Sequence, residues 1–235
     1  ETYDTGFERL FARLFAEWGV IMLDASDPEL HRIAKPIYEK AVEQGEKIYG
    51  ALRDRGAGLE AAGYDQQVKV TASSTLIFAV VNGARVPVHR QSSSGAEIGF
   101  SIGEEKLSKV ELLSRIRSAP QDFSPNVLLR PIVQDYLLPT LTYAGGAAEI
   151  AYFAQAAVVY QVLARSVTPI VPRFSATLVD TKHQVLLERY KLRLPDVLHA
   201  PEKFREVLAS ASLPRRLSDS LEKAEAALNE AKSEI

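Results

Sequence analysis

Between Leu141 and Val171 the chain passes through an extended apolar stretch, two adjacent glycines, a long apolar helix pattern and a second apolar stretch. This order constrains the fold more than any other feature of the sequence. Leu141-Thr142-Tyr143-Ala144 reads as a strand, Gly145-Gly146 as a tight turn, Ala147 to Arg165 as a helix, and Pro169-Ile170-Val171 as a buried strand. Strand, helix, strand is a βαβ crossover, right-handed if its strands are parallel. The expected class is therefore α/β.

A second unit of the same kind is expected near the start. Val20-Ile21-Met22-Leu23 is a short apolar run that reads as a buried strand. Asp27-Pro28-Glu29 follows as a helix start, because a carboxylate accepts from the free N–H groups and proline suits the first helical turn. Leu30, Ile33, Ile37, Ala41, Ile48 and Leu52 continue along one face, and Gly56 and Gly58 end the helix. Upstream, Phe7, Leu10, Phe11, Leu14, Phe15 and Trp18 recur at three and four residues. A chain that starts inside such a periodicity is expected to be a piece of a longer protein.

From Gly63 the pattern changes. Gln67 to Thr71, Leu76 to Val81 and Arg85 to His89 read as strands, with Asn82-Gly83 as a hairpin turn. Gln91 to Gly95 reads as a solvated loop, and Ser108 precedes a short helix over Val110 to Ile116. Ser124-Pro125-Asn126 reads as a turn. Pro131 biases Arg130 towards an extended conformation. Ile132 to Leu138 reads as a short helix stopped by Pro139, and Ala176 to Val179 as an extended run. At the end, Leu217, Leu221, Ala224, Leu228, Ala231 and Ile235 alternate steps of four and three, which is a heptad seam.

Composition excludes several functions. Lys+Arg number 28 against Asp+Glu 30, so the basic footprint of a nucleic-acid module is missing. There is no cysteine, hence no disulfide, thiolate nucleophile or cysteine-based zinc site in this stretch. No apolar run reaches the about 20 residues that span a bilayer. His31, His89, His183 and His199 stand singly, without metal-ligand spacing.

The candidate site residues gather around the glycine pair. Gly145 and Gly146 allow close approach of a ligand to the backbone, and a helix N-terminus offers N–H groups to an anion. The plain alternative is a strand-to-helix turn. Glu149, Tyr152 and Gln155 share one sector of an otherwise apolar helix, as groups facing a cavity or a polar network do; the alternative is a first-turn carboxylate and ordinary packing. Arg130, Gln134 and Asp135 interrupt an apolar stretch. Arg130 suits a bidentate clamp on carboxylate or phosphate, and an Arg130–Asp135 structural pair is equally compatible. Arg173 and Ser175 follow a strand of the crossover, where open α/β sheets bind ligands; the alternative is a solvated loop.

Phe123-Ser124-Pro125-Asn126-Val127-Leu128-Leu129-Arg130-Pro131, continuing Gln134-Asp135-Tyr136-Leu137-Leu138-Pro139-Thr140, closely resembles the bacillithiol-biosynthesis cysteine-adding enzymes. So do Tyr143-Ala144-Gly145-Gly146-Ala147-Ala148-Glu149-Ile150-Ala151-Tyr152-Phe153-Ala154-Gln155, Leu23 to Leu30 and Val171-Pro172-Arg173. The resemblance implies a cytoplasmic ligase that joins cysteine to the amine of glucosaminyl-malate, with an adenine nucleotide (ATP or ADP) as cofactor and no metal. It implies a partial Rossmann-like, nucleotidyl-transferase-type core with an antiparallel β insert and the start of a C-terminal coiled-coil helix that makes homodimers. The expected divisions are 1–64 and 109–200 for the two parts of the core, 65–108 for the insert and 201–235 for the coiled coil. The segment is placed in the C-terminal part of the family's chain, with half of the active site upstream. Expected substrate- or nucleotide-binding residues are Arg130, Gln134, Asp135, Tyr143, Gly145, Gly146, Glu149, Tyr152, Gln155, Arg173 and Ser175, without a metal, nucleic-acid or membrane partner. A non-catalytic dimerisation or scaffold segment, or another amide ligase on the same fold, are the alternatives.

Overall fold

A computed structural model describes residues 2–91, 99–163 and 166–199, with isolated positions 202, 204, 205, 209, 217, 220, 223 and 224 after them. The chain divides into two compact units, Glu1–Arg173 and Phe174–Ile235.

The first unit opens with helix α1 (Tyr3–Leu14), capped by Thr2 and carrying the expected aromatic stripe, in which Phe7 and Phe11 stack at 4.2 Å. None of its residues is buried. The strand expected at Val20 to Leu23 does not form: an extended run needs a hydrogen-bonded neighbour, and Ile21 is 88% exposed instead. The Asp27 cap is as expected, its carboxylate accepting from Glu29 N–H at 2.8 Å to start α2 (Pro28–Glu43). The single long helix expected there is two, because the chain breaks at Gln44 before α3 (Gly45–Ala61). Gly56 and Gly58 lie inside α3 and do not end it. The left-handed residue that follows it is Gly63, φ +81°.

Strands β1 (Ser74–Val81), β2 (Ala84–Gln91), β3 (Gly99–Ile102) and β4 (Glu105–Ser108) build the expected antiparallel meander. Asn82 (φ 52°) and Gly83 (φ 76°) make its first turn, both in the left-handed region that a two-residue hairpin needs. No strand forms at Gln67 to Thr71. The loop expected over Gln91 to Gly95 lies outside the described residues beyond Gln91. Ser108 then caps α4 (Lys109–Ser118) in a reciprocal box with Glu111. Ser124-Pro125-Asn126, expected as a turn, is not one: Phe123–Pro125 is strand β5, held in register by β1, and the sheet order is β4-β3-β2-β1-β5 with every neighbouring pair antiparallel. Its fifth strand thus lies beyond residue 108, where the antiparallel part was expected to stop. Arg85 ties β5 down, donating to Ser124 Oγ at 3.0 Å and the Pro125 carbonyl at 2.8 Å.

Helix α5 (Arg130–Leu137) begins with Arg130 itself, which is helical rather than extended. Pro131 tolerates this place because an N–H in the first turn has no intrahelical acceptor to lose. The Asn126 side-chain oxygen shapes the entry by accepting from Leu128 and Leu129 N–H, both at 3.0 Å. The crossover follows as expected: β6 (Tyr143–Gly145), α6 (Ala147–Val162) and β7 (Ile170–Pro172), with β6 and β7 parallel. One core joins these elements. Tyr38 of α2, Leu52 of α3, Leu112 and Ile116 of α4, Ile132 of α5 and Val159 and Tyr160 of α6 are all buried in it.

The second unit holds α7 (Thr181–Arg189), capped by Asp180, and α8 (Leu194–His199). Ala176 to Val179 forms no strand. The heptad seam lies outside the described residues except for Leu217 and Ala224, both helical. No helix among the described residues is long and apolar enough to cross a membrane.

Candidate active site

The parallel pair β6–β7 and the start of α6 bring one polar cluster together. Gly146 precedes α6 with φ −71° and ψ 172°, an extended conformation open to any residue, so the glycine pair is not a left-handed turn. Space explains it instead. A Cβ on Gly145 would stand 2.8 Å from Ile170 Cδ1, and one on Gly146 would stand 2.7 Å from Arg173 Nη2.

Glu149 is the hub. Its Oε2 accepts from Gly146 N–H at 2.9 Å, the carboxylate half of a capping box to which glycine contributes only its amide. Its Oε1 accepts from the Tyr143 hydroxyl at 2.6 Å. Arg130 Nη2 donates to the hydroxyls of Tyr143 (2.9 Å) and Tyr152 (2.6 Å) and lies 3.7 Å from Glu149. Arg173 Nη2 approaches the other carboxylate oxygen at 3.8 Å. The two tyrosine rings pack against Phe153, with centroids at 4.9 and 5.6 Å.

The electrostatics follow from these contacts. The Tyr143 hydroxyl and the Gly146 amide, with the two guanidinium groups, hold the Glu149 carboxyl below its ordinary range. Desolvation, reinforced by the hydrogen bond to Glu149, pushes the Tyr143 phenol up to about 12. Burial opposes the charge on Arg130, but its bonds to Tyr143 and Tyr152 outweigh that and keep its pKa above the usual value. Two cations thus flank one carboxylate, and the Arg130 and Arg173 side chains are 45% and 66% exposed. Such a patch attracts an anion. Glu149 itself has both oxygens engaged, Oε1 by the Tyr143 hydroxyl and Oε2 by the Gly146 amide.

Five of the expected residues beyond the glycines are therefore placed as follows: Arg130, Tyr143, Glu149, Tyr152 and Arg173 meet, and Gly145 and Gly146 form the floor. The rest do not join them. Gln155 is fully buried, its amide donating to the Val68 carbonyl at 2.8 Å and accepting from Val68 N–H at 3.0 Å. Asp135 forms no pair with Arg130; its carboxylate accepts from the Tyr160 hydroxyl at 2.6 Å and from the Thr168 hydroxyl. It borders a hollow of about 630 Å³ shared with Lys40, Thr140 and Ser166. Gln134 is half-buried on α5 outside the cluster, and Ser175 belongs to the second unit. Val68, Tyr160 and Thr168 had no local signal in the sequence, since their partners are 25 to 87 positions away.

Among the described residues no group of His, Asp and Glu is placed to hold a metal. His31 is structural: Nδ1 lies 3.0 Å from the Tyr38 hydroxyl and Nε2 3.1 Å from the Ala25 carbonyl.

The model of the family described as "Bacillithiol biosynthesis BshC, N-terminal Rossmann-like domain" matches residues 1–174. A protein of Koribacter versatilis named "Putative cysteine ligase BshC" is 52% identical over 219 residues, covering 93% of this chain and 40% of that protein. Proteins of the same name from Solibacter usitatus and Bacillus cereus are 34% and 29% identical, each covering at least 94% of this chain. The chain spans about two fifths of the length of these curated relatives. The expected placement in the C-terminal part of the family's chain is corrected by the match, which falls on the N-terminal Rossmann-like domain. Along about three quarters of its length this chain follows that domain, and it belongs to the bacillithiol biosynthesis BshC family.

Proposed function

We propose that the full-length protein is a cytoplasmic ligase that forms an amide between the cysteine carboxyl group and the amine of glucosaminyl-malate, the last step of bacillithiol biosynthesis. The observation that carries this reading is the match of residues 1–174 to the family's Rossmann-like domain. The site chemistry agrees with it. Both the amino acid and the malyl group bring carboxylates, and Arg130 and Arg173 present a net positive surface beside the tyrosine hydroxyls. Arg130 and Arg173 would bind and orient these carboxylates, while Glu149 keeps both guanidinium groups in place and Phe153 keeps the tyrosine rings fixed.

An adenine nucleotide fits the same surface in part. Its phosphates would meet the two guanidinium groups, but the Gly146 amide is already held by Glu149. The nucleotide would supply the driving force for amide formation. The heptad spacing of Leu217 to Ile235 supports a homodimer.

The test is turnover of the full-length protein with cysteine, glucosaminyl-malate and ATP, followed by mass spectrometry. Product is expected. Loss of one charge-assisted contact of about 1.5–3 kcal/mol corresponds to a fall in kcat/KM of about ten- to a hundredfold for Arg130→Ala. No product from these substrates would overturn the activity. Product formed at an unchanged rate by both Arg130→Ala and Glu149→Ala would leave the activity and remove the site.

A further inference from the structure

The hollow of about 630 Å³ beside Asp135 shares no residue with the Arg130–Glu149 cluster. It lies where the last turns of α2, α5 and α6 meet the loops that follow α5 and α6. Its volume falls in the range of about 300–1,000 Å³ typical of small-molecule sites. A closed cavity of about 150 Å³ accepts benzene. This larger one is open on the side of Leu141, which is 87% exposed. An occupant of about fifteen to twenty non-hydrogen atoms therefore suits it better than a single amino acid.

The charged side chains on its wall are Asp135 and Lys40, and neither has an ionic partner among the described residues. Asp135 is half-buried and preset. The buried Tyr160 and Thr168 hydroxyls both donate to its Oδ2, Tyr160 at 2.6 Å. Its Oδ1 receives no hydrogen bond, and it is not a sealed atom, since the buried unpartnered side-chain atom among the described residues is Arg90 Nε. The end of α6, at Leu163 on the same wall, adds the partial negative charge of its last carbonyls. Lys40, in the last turn of α2, is exposed. The carboxylates beside it on that helix, Glu39 and Glu43, lie 3.0 and 3.8 Å from Arg117 instead. Between the two charges the wall offers the Thr140 and Ser166 hydroxyls, of which Thr140 makes only a 3.5 Å bond to the Leu138 carbonyl.

This wall selects its ligand by charge. An anion would pair with Lys40 but meet the Asp135 carboxylate and the α6 carbonyls, and a simple cation would leave Lys40 unpaired. A molecule carrying both charges pairs both. The hydroxyls suit an amide between them, and Leu138 and Leu163 suit a short apolar side chain. We propose that this hollow binds a zwitterionic amide the size of a dipeptide, its ammonium on Asp135 Oδ1, its carboxylate on Lys40 Nζ and its amide against Ser166 and Thr140. Two sources carry that chemistry: a free dipeptide, and the cysteinyl amide that the proposed ligation would release, the second alone resting on the ligase reading.

The experiment titrates the full-length protein, by calorimetry and by NMR of its leucine methyls, with four probes. These are leucyl-alanine, its N-acetyl derivative without the ammonium, its C-terminal amide without the carboxylate, and cysteinyl-glucosaminyl-malate. Leucyl-alanine is expected to bind saturably, with shifts at the Leu138, Leu141 and Leu163 methyls. Acetylation should weaken it at least about tenfold, and amidation about two- to fivefold because Lys40 is exposed. Asp135→Asn keeps an oxygen for the Tyr160 and Thr168 hydroxyls, and should bring leucyl-alanine and its N-acetyl derivative to within about twofold of each other. Tighter binding of the cysteinyl amide at these methyls assigns the hollow to the ligation product, and tighter binding of leucyl-alanine assigns it to free peptides. Absence of saturable shifts there with either would overturn the proposal. So would equal affinity for leucyl-alanine and its N-acetyl derivative in the unmodified protein, or a preference for the free ammonium that survives Asp135→Asn. None of these readouts needs turnover, so this proposal and the ligase reading fail separately.

Discussion

Replacing Gln155 with leucine tests how the crossover helix is fixed to the rest of the first unit. The side chain is fully buried, and its amide meets both backbone groups of Val68, at 2.8 and 3.0 Å, across 87 positions of sequence. Leucine matches it in size but leaves one donor and one acceptor on Val68 without partners. An unmet buried group costs about 1–3 kcal/mol. Val68 is only half-buried, so the lower end applies to each group, and the added methyl burial returns about 1 kcal/mol. The net loss is about 1 kcal/mol, or about fivefold in a local opening equilibrium. Hydrogen exchange read by mass spectrometry on the full-length protein should show protection over residues 66–70 falling by about that factor. Gln155→Glu should fare no better despite its shape, because its second oxygen would face the Val68 carbonyl. A fall of less than about threefold, or a glutamate tolerated better than leucine, would refute the reasoning.

The two glycines should respond differently. Gly145→Ala pushes a methyl into the half-buried Ile170 side chain and against Glu149 Cβ and should cost about 1–3 kcal/mol in thermal stability, whereas Gly146→Ala crowds the far end of the Arg173 side chain and should cost under about 1 kcal/mol while weakening anion binding. The lowered Glu149 carboxyl sets an acid limit. The unfolded chain takes up that proton at a higher pH than the folded one, so the contribution is present above the ordinary carboxylate range and is lost as pH falls through the native value. Glu149→Gln should flatten the acid limb of a stability profile. Tyr143 sets the opposite limit: its phenol ionises near 10 when unfolded and at about 12 when folded, so stability should fall as pH rises between them, and Tyr143→Phe should reduce that fall. In the same variant, carbon NMR of the Glu149 carboxyl should report a pKa nearer the ordinary range.

Local signals were the legible ones. Asp27-Pro28, Ser108, Asn82-Gly83 and the strand–glycine–helix–strand order each act within a few residues, and each produced the expected element. Isolated apolar runs were not reliable. Val20 to Leu23 and Ala176 to Val179 have strand composition, but a strand exists only where a neighbour supplies hydrogen bonds. At Gln67 to Thr71 the neighbour is a side chain: Gln155 satisfies Val68, and no ladder is left to form. The break at Gln44 was hidden because the apolar stripe continues across it from Ala41 to Ile48. In the site, Arg130, Glu149 and Tyr152 were legible as polar groups in apolar surroundings, Arg173 by its place after a strand of the crossover, and Tyr143 only through the family resemblance. Nothing in the sequence distinguished them from Gln155 and Asp135, whose partners are remote.

The borders of the five-stranded sheet have a consequence for solubility. On one side β5 is three residues long and ends in Pro125, which has no N–H, while the Pro125 carbonyl is taken by Arg85. On the other, β4 offers four residues, among them Lys106 and a Glu105 engaged by Arg115 at 2.9 Å. A foreign strand would find few backbone groups to join at either rim, and charges or a ring in its path. The meander is thus terminated at both ends, and crowding or concentration should not extend it into fibrils.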